Sequence, residues 1–389
     1  MNSLKRIYKV ALRECGIISH NPIYWFCMIL FPILVTVFFT SLMDAGQPQE
    51  MPIGVVDLDN TTTTRTLIRR LDAFQTSKVK KHYANFEEAR KAMQSNEIYA
   101  FIYFPKNTTA DLMASKQPKI SFYYSNACIT SGSLIFKDLK TISTLGSAAV
   151  GMAKLSAIGK TSDEIKTFLQ PITIDMHTIG NPTINYNVYL STSMVPACIT
   201  LFIFLITAYS VGTEMKFGRQ KEWLAMADNN IFVAIVGKML PQFIIFFVMM
   251  SLYLIYIYGY LGFPHSAGFA KIFALAFLTV LASQGLGLTA FGLTPSLRMS
   301  MSMCSLWAAL SFSIMGSTFP VTAMSPAIQS LSALFPMRHY FVIYQKSIFG
   351  GYPFSMVWEH IWALIIFASL PIAFMPRIKK AMNEWVYMP

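Results

Sequence analysis

The chain has 389 residues, 54% of them hydrophobic and only 13% charged, with a mean hydropathy of +0.47. Soluble domains carry about 25% charged residues, so the composition excludes an ordinary water-soluble protein and indicates an integral membrane protein. The formal net charge of +12 does not point to nucleic acid: no dense Lys/Arg tract is interleaved with aromatics, and the basic residues gather at the ends of apolar runs, where membrane topology places them.

The first segment, residues 1–22, reads as a basic amphipathic helix. Leu4, Ile7, Tyr8, Ala11, Leu12 and Cys15 follow the spacing of one helical face, with Lys5, Arg6, Lys9, Arg13 and Glu14 opposite. Such a helix lies flat in the membrane interface. Pro22 ends it. Residues 23–43 then form the first stretch of about 20 apolar residues, the length that spans a bilayer. No small-residue cleavage site follows, so the stretch reads as a signal anchor.

Residues 44–190 are polar and read as a mixed α/β domain. A short strand at 53–56 runs into Asp57-Leu58-Asp59-Asn60, a turn and helix cap rather than a catalytic carboxylate pair. Helices are expected at 61–74 and 86–94, the second capped by Asn85. Strands are expected at 98–103 and 120–124, and a short helix capped by Asn107 lies between them. A long helix over 131–158 and a last strand over 172–176 complete the domain, which reads as a sheet covered by helices. Gly159-Lys160-Thr161 resembles the end of a P-loop, but Lys154 stands where the motif requires glycine.

Five further apolar stretches follow, at 191–212, 239–259, 270–292, 300–319 and 357–376. The third and fourth of these are rich in Gly, Ser and Thr, which suits close helix contact in lipid. The flanking basic residues set orientation. Lys5, Arg6, Lys9, Arg13, Lys216, Arg219, Lys221, Lys238, Arg298, Arg377, Lys379 and Lys380 all fall on one side of an alternating thread, against Lys271, Arg338 and Lys346 on the other. The rule that cytoplasmic loops are positive makes both termini cytoplasmic and 44–190 extracytoplasmic. The fold class is thus an α-helical polytopic membrane protein with six transmembrane helices and an inserted mixed α/β extracytoplasmic domain, ending in a cytoplasmic tail at 377–389.

No Walker motif, G-x-S-x-G or H-E-x-x-H occurs, and the histidines are scattered. No Cys/His spacing suggests a metal; Cys128 alone of the five cysteines falls in the polar domain, so no disulfide staples it. The apolar spans carry essentially no Asp, Glu, Lys or Arg, residues that ion-coupled carriers keep at membrane depth. Energy for transport therefore has to enter from outside the chain. The one substantial cytoplasmic segment, 213–238, contains Glu214, Gly218, Arg219, Glu222, Trp223 and Leu224. A short helix there can present Trp223, Leu224 and Met226 to a partner's groove, with Glu214, Arg219 and Glu222 fixing register by charge pairing.

Taken together, the chain resembles a permease of the ABC-2 type, in the subgroup with a large extracytoplasmic domain after the first helix. The resemblance is carried by Val55-Val56-Asp57-Leu58-Asp59-Asn60, by Phe86-Glu87-Glu88-Ala89 with the 98–105 segment, by Glu214-x-x-x-Gly218 with Glu222-Trp223-Leu224 and Gly237-Lys238-x-Leu240-Pro241, and by Phe319-Pro320, Ser325-Pro326, Phe335-Pro336 and Tyr340. One departure is Arg219, where the family usually has threonine after the glycine. The resemblance implies a half-transporter that pairs with a second permease chain and takes its power from separate ABC ATPase subunits docked on 213–230, with the amphipathic N-terminal helix as a further docking element. It implies export of an amphipathic or hydrophobic substrate, in many members with a periplasmic adaptor and an outer-membrane channel. It also implies an outer re-entrant stretch at 319–337, broken by Pro320, Pro326 and Pro336. The chain itself is then no enzyme and needs no cofactor. A membrane-anchored sensor or adhesion protein with a ligand-binding outside domain is the competing reading.

Overall fold

The computed structural model describes residues 3–114, 116–175, 177, 180–181 and 184–385. The chain forms two compact units, residues 45–177 and the remainder, 1–44 with 178–389.

In the first unit, α3 (Thr62–Asp72), α4 (Phe86–Gln94), α5 (Thr108–Met113), α6 (Ile129–Ala157) and α7 (Ser162–Leu169) accompany four strands; α1 (Ser3–His20) and α2 (Pro22–Leu42) precede them in the chain and belong to the second unit. The strands β1 (Met51–Asp57), β2 (Ser77–His82), β3 (Ala100–Phe104) and β4 (Ser121–Tyr124) lie in the order β2-β1-β3-β4. β1 is parallel to β2 and β3, and β4 is antiparallel to β3. Alternation along β1 sends Ile53 and Val55 to one face, against Ile68 and Leu71 of α3 and Ile135, Leu139 and Ile142 of α6. Val56 goes to the other face, with Ala89 and Ala92 of α4 and Phe101 of β3. Gly54 is required by packing: a Cβ there would sit 2.8 Å from both Ile98 and the Tyr83 ring.

β2 is absent from the sequence-based expectation. Its sequence, Ser-Lys-Val-Lys-Lys-His, shows no apolar alternation, and only the edge position and pairing with β1 make it a strand. Lysines are what sheet edges carry to discourage further pairing. The strand expected at 172–176 does not form over the described residues 172–175, and Met176 lies outside the described residues. Asn107 does precede α5, but with left-handed backbone and no side-chain cap bond.

The second unit is a bundle of helices: α1 (Ser3–His20), α2 (Pro22–Leu42), α8 (Tyr186–Lys216), α9 (Gln220–Met226), α10 (Ile231–Tyr260), α11 (Phe269–Leu293), α12 (Leu297–Ile314), α13 (Pro326–Ser332), α14 (Pro336–Ile343, continued by a π turn Tyr344–Phe349) and α15 (Phe354–Glu384). Five of these, α2, α8, α10, α11 and α15, are long and apolar enough to cross a membrane. The stretch expected as a further span at 300–319 forms the 18-residue α12, which includes Arg298 and five serines, and is not among those five.

Burial separates centre from periphery: 67% of the apolar window is buried in α8 and α11, against 28% in α2 and 22% in α15. Glycine explains the centre. A Cβ on Gly285 of α11 would lie 2.2 Å from the Phe367 carbonyl, and one on Gly287 would lie 3.0 Å from the Phe204 carbonyl of α8. Small residues thus let α11 lie backbone-to-backbone against two neighbours. In α12 the small residues Ser300, Cys304, Ala308 and Ser311 are buried, whereas Ser302, Ser305 and Ser313 are exposed.

The three prolines of the expected re-entrant stretch each open a helical turn. Pro320 precedes the 3-10 turn Val321–Ala323, and Pro326 and Pro336 stand at the first positions of α13 and α14, where a missing N–H costs nothing. Packing within and beyond this stretch begins only near its C-terminal end. Residues 322–331 are mostly exposed, whereas Phe335 is buried against Trp307, and Met337, Tyr340, Phe341, Ile343 and Ile348 join the main core.

Candidate functional site

One end of the bundle holds a bend that joins α8, α9 and α10. α8 ends in a Schellman motif: Gly218 is left-handed (φ 66°), its N–H reaches the Met215 carbonyl at 3.2 Å, and the Arg219 N–H reaches the Glu214 carbonyl at 2.9 Å. A side chain other than glycine's is strained at that φ. The seven-residue α9 follows, and the chain turns again through left-handed Asp228 and Asn229. Asn230 caps α10, accepting from the backbone N–H groups of Phe232 and Val233. Local sequence therefore sets both corners of an elbow.

The elbow has its own apolar core. Trp223 and Leu224 pack with Val10 of α1, Val211 and Met215 of α8, Val233 and Met239 of α10, Phe291 of α11 and Ile378 of α15. Trp223 is 0% exposed and Leu224 is 2% exposed. This corrects the expectation that they face a partner: apolar side chains on a seven-residue helix gain more by closing the core beneath it. The exposed rim instead comprises Lys216, Phe217, Gly218, Lys221 and Glu222. Phe217 is 58% exposed and is flanked by the Lys216 ammonium and the Arg219 guanidinium, 5.8 and 5.1 Å from its ring centre. Sequence reasoning passed over Phe217. An aromatic beside the helix-ending glycine, between two cations, is the signal that could have marked it.

Beneath the elbow lies a buried ionic cluster. Arg13 of α1 grips Glu214 with two hydrogen bonds of 2.8 and 2.9 Å. The Lys238 ammonium of α10 donates to Glu214 at 2.7 Å and to Glu14 at 2.5 Å. The Gln242 amide donates to the other oxygen of Glu14 at 2.9 Å. The side chains of Glu14, Glu214 and Lys238 are each 1% exposed. Two cations meet two anions, so the cluster is neutral, which is the condition under which buried charge is tolerable. Hydrogen bonding to Glu214 raises the Arg13 pKa against the opposing effect of burial, and the charges of Glu214, Glu222 and Glu14 add to it. The indole of Trp223 lies 5.6 Å from the Lys238 ammonium.

Three expectations are corrected here. Glu214 is a buried ion-pair partner rather than a surface register mark. Lys238 is a buried cation inside a helix rather than a flanking topology charge. Glu14 faces inward. The buried face of α1 is Val10, Ala11, Glu14 and Ile18, while Leu4, Tyr8 and Leu12 remain exposed. Two signals in the sequence could have revealed the cluster. Lys238 is the sole charge within 231–260, and Glu14 sits at helical spacing inside Ile7, Val10, Ala11 and Ile18.

Elsewhere, polar groups serve structure. The Asp57 carboxylate accepts from the backbone N–H groups of Asp59 and Asn60 and from the Thr64 hydroxyl. Asp59 accepts from Thr61 and from both the backbone and hydroxyl of Thr109. Thr61, not an aspartate, caps α3. Thr161 and Glu164 form a capping box at the start of α7, which accounts for the P-loop-like tripeptide. The His339 Nε2 faces the Ala333 carbonyl at 2.8 Å, so it carries the proton, and its Nδ1 accepts from His360 Nδ1 at 2.9 Å. Among the described residues, no group of three or more His, Cys, Asp or Glu is placed to hold a metal.

The sequence matches the ABC-2 family transporter protein family over residues 22–375. It is similar to the probable multidrug ABC transporter permease YbhR of Escherichia coli K12, 24% identical over 195 residues, 49% of this chain and 51% of the relative. That match thus spans about half of the relative's length. It is also similar to the linearmycin resistance permease protein LnrN of Bacillus subtilis 168, 18% identical over 350 residues, 86% of this chain and 89% of the relative. A match over most of the chain, together with a bundle of apolar helices and the bacterial permeases it resembles, identifies a multi-pass protein of the bacterial cell (inner) membrane and a membrane transport component. The chain belongs to the ABC-2 family of transporter permeases.

Proposed function

We propose that this chain is one half of the membrane path of an ATP-driven exporter, carrying an amphipathic or hydrophobic substrate out of the cytoplasm or the inner membrane. In this reading α12 is a sixth span, both termini are cytoplasmic, and the unit 45–177 is extracytoplasmic. A separate ABC ATPase subunit docks on the rim Lys216, Phe217, Gly218, Lys221 and Glu222, with Arg219 beside it. ATP-driven closure pushes the elbow, and α8 and α10, which leave it in opposite directions along the chain, carry the push into the bundle.

The observation that carries this reading is the elbow itself. Its corners are fixed by a Schellman glycine and an Asn cap, its underside is a closed core, and its outer rim mixes one exposed aromatic with charge. Such a surface suits docking of a soluble partner. A second permease chain completes the path; the outward Ser302, Ser305 and Ser313 of α12 support close helix pairing. An apolar cleft of about 210 Å³ lined by Phe204, Leu286, Met303, Trp307, Leu334 and Phe367 supports a hydrophobic cargo. The stretch containing Pro320, Pro326 and Pro336 leads to the exit side, where a periplasmic adaptor and outer-membrane channel receive the cargo.

The test is purification of the tagged chain from its native host, followed by ATP-driven dye uptake into inverted vesicles. An ATPase subunit is expected to co-purify. Phe217→Ala and Glu222→Ala are expected to lower ATP-stimulated uptake at least about tenfold, as loss of a docking anchor does, with insertion unchanged. Absence of any ATPase, or full uptake by both variants, overturns the assignment.

A further inference from the structure

α8 carries a proline, Pro196, inside the helix. Proline has no N–H, and its ring crowds the carbonyl four residues back. That carbonyl belongs to Thr192, and the Tyr340 hydroxyl of α14 donates to it at 3.4 Å. One residue earlier, the Ser191 carbonyl accepts from the Tyr253 hydroxyl of α10 at 2.7 Å. Both tyrosines are buried, and Tyr340 stacks on Tyr344 with ring centres 6.3 Å apart. The same part of α8 has two more ties. The Asn187 amide donates to the Thr40 carbonyl near the end of α2 at 3.0 Å, and the Tyr189 hydroxyl donates to the Ser317 carbonyl. Residues 186–195 are thus joined to α2, α10, α14 and the bend at Ser317 by bonds between neutral side chains and main-chain carbonyls.

Beyond Pro196 the helix is held by other means. A Cβ on Gly287 of α11 would stand 3.0 Å from the Phe204 carbonyl, and one on Gly212 would stand 2.7 Å from Leu297. Ile199, Ile203, Ile206 and Val211 are buried among apolar neighbours. Packing that close leaves no room for movement between the parts. Before the proline, by contrast, the buried side chains include Asn187, Ser191, Thr192 and Ser193. Their neutral hydrogen bonds exchange for bonds to water at small net cost. A helix that lacks one backbone bond bends at that point, and here the missing bond divides a rigidly packed part from a part that is only tied.

We propose that Pro196 is a hinge, and that 186–195 is a gate at the outer end of the path, latched shut by the Tyr340 and Tyr253 hydroxyls. This rests on the export role proposed above, with 186–195 on the exit side. A push at the elbow travels along the rigid part of α8 and is released at the proline as a swing of the outer segment. Tyr340 and Tyr253 are positioning residues: each holds a carbonyl in the closed state and lets it go in the open one.

The experiment uses the complete transporter, in lipid nanodiscs for hydrogen exchange and in inverted vesicles for ethidium moved per ATP hydrolysed. Tyr340→Phe keeps the ring and drops the bond. Exchange over 186–195 is expected to rise about fivefold while 197–216 stays within about twofold, and ATP-free ethidium leak is expected to rise about threefold. Pro196→Ala supplies the missing N–H. The same amides are expected to exchange at least about fivefold slower while ethidium moved per ATP falls several-fold, so the variant is tighter yet less active. Adding Tyr340→Phe to Pro196→Ala is expected to leave exchange within about twofold of Pro196→Ala alone, because the Thr192 carbonyl then has a donor in its own helix. If Pro196→Ala does not accumulate, Tyr253→Phe serves as the second variant, with the same rise in exchange and leak expected as for Tyr340→Phe. The hinge is overturned if Tyr340→Phe quickens exchange equally on both sides of Pro196 or not at all, if Pro196→Ala tightens the segment and transports at the parental rate, or if both tyrosine variants leak no more than the parent. Parental transport that does not need ATP would instead remove the export reading, while the exchange data would still judge the hinge.

Discussion

The Asp57–Asp59 turn and the ionic cluster beneath the elbow solve one problem in opposite ways. In the turn, each carboxylate is satisfied by backbone N–H groups and threonine hydroxyls, most within seven residues and none carrying charge. Under the elbow, carboxylates are satisfied by cations from other helices, more than two hundred residues away for three of the contacts. The turn is a local device and its removal is felt locally. The cluster is a long-range joint, and removing one member strands the others in an apolar core.

That contrast can be broken most directly at Glu214. Glu214→Leu deprives both Arg13 and Lys238 of a partner and should cost about 3–5 kcal/mol, seen as a large drop in the thermal midpoint of the detergent-purified chain. A drop no larger than that of a surface variant would show that water reaches the cluster. Trp223→Ala removes the largest buried side chain of the elbow core and should cost about 3–5 kcal/mol, with increased protease sensitivity at 213–230.

Smaller effects sharpen the other side. Asp57→Ala loses hydrogen bonds to two N–H groups and one hydroxyl and should cost about 1–2 kcal/mol, confined to the 45–177 unit and visible by hydrogen exchange around 57–64. Burial raises the Asp59 pKa, but hydrogen bonds from Thr109 and Thr61 outweigh it and hold the group below its ordinary value. A depressed carboxylate contributes stability above the ordinary pKa and loses it as pH falls through the folded value. The 45–177 unit should therefore weaken below about pH 4, and Asp59→Asn should flatten that slope in an acid melt. Smallest of all, Glu222→Ala should change stability by no more than about 0.5 kcal/mol even as it lowers coupled transport.

Much of the molecule can be read from local pattern. Runs of apolar residues give the long helices, Asn85 and Asn230 mark helix starts, Gly218 marks a helix end, and short apolar runs at 53–56 and 98–103 give the two central strands. These features depend on neighbours within a turn or a pleat, and that is the range over which sequence carries direct information. β2 shows the limit. Its lysine-rich sequence has no strand pattern of its own, and only pairing with β1 makes it one.

The functional region divides along the same line. Sequence by itself determined the elbow's corners, the apolar helices and the excess of cations at their ends. Only the tertiary structure decided which way Trp223, Leu224 and Glu14 face, because a helix with two partly apolar stripes can bury either. It alone decided that Lys238 is a buried ion-pair partner rather than a flanking charge. Pairing between residues two hundred positions apart leaves no periodic trace in the chain; it is fixed when helices pack and each buried charge must find its opposite.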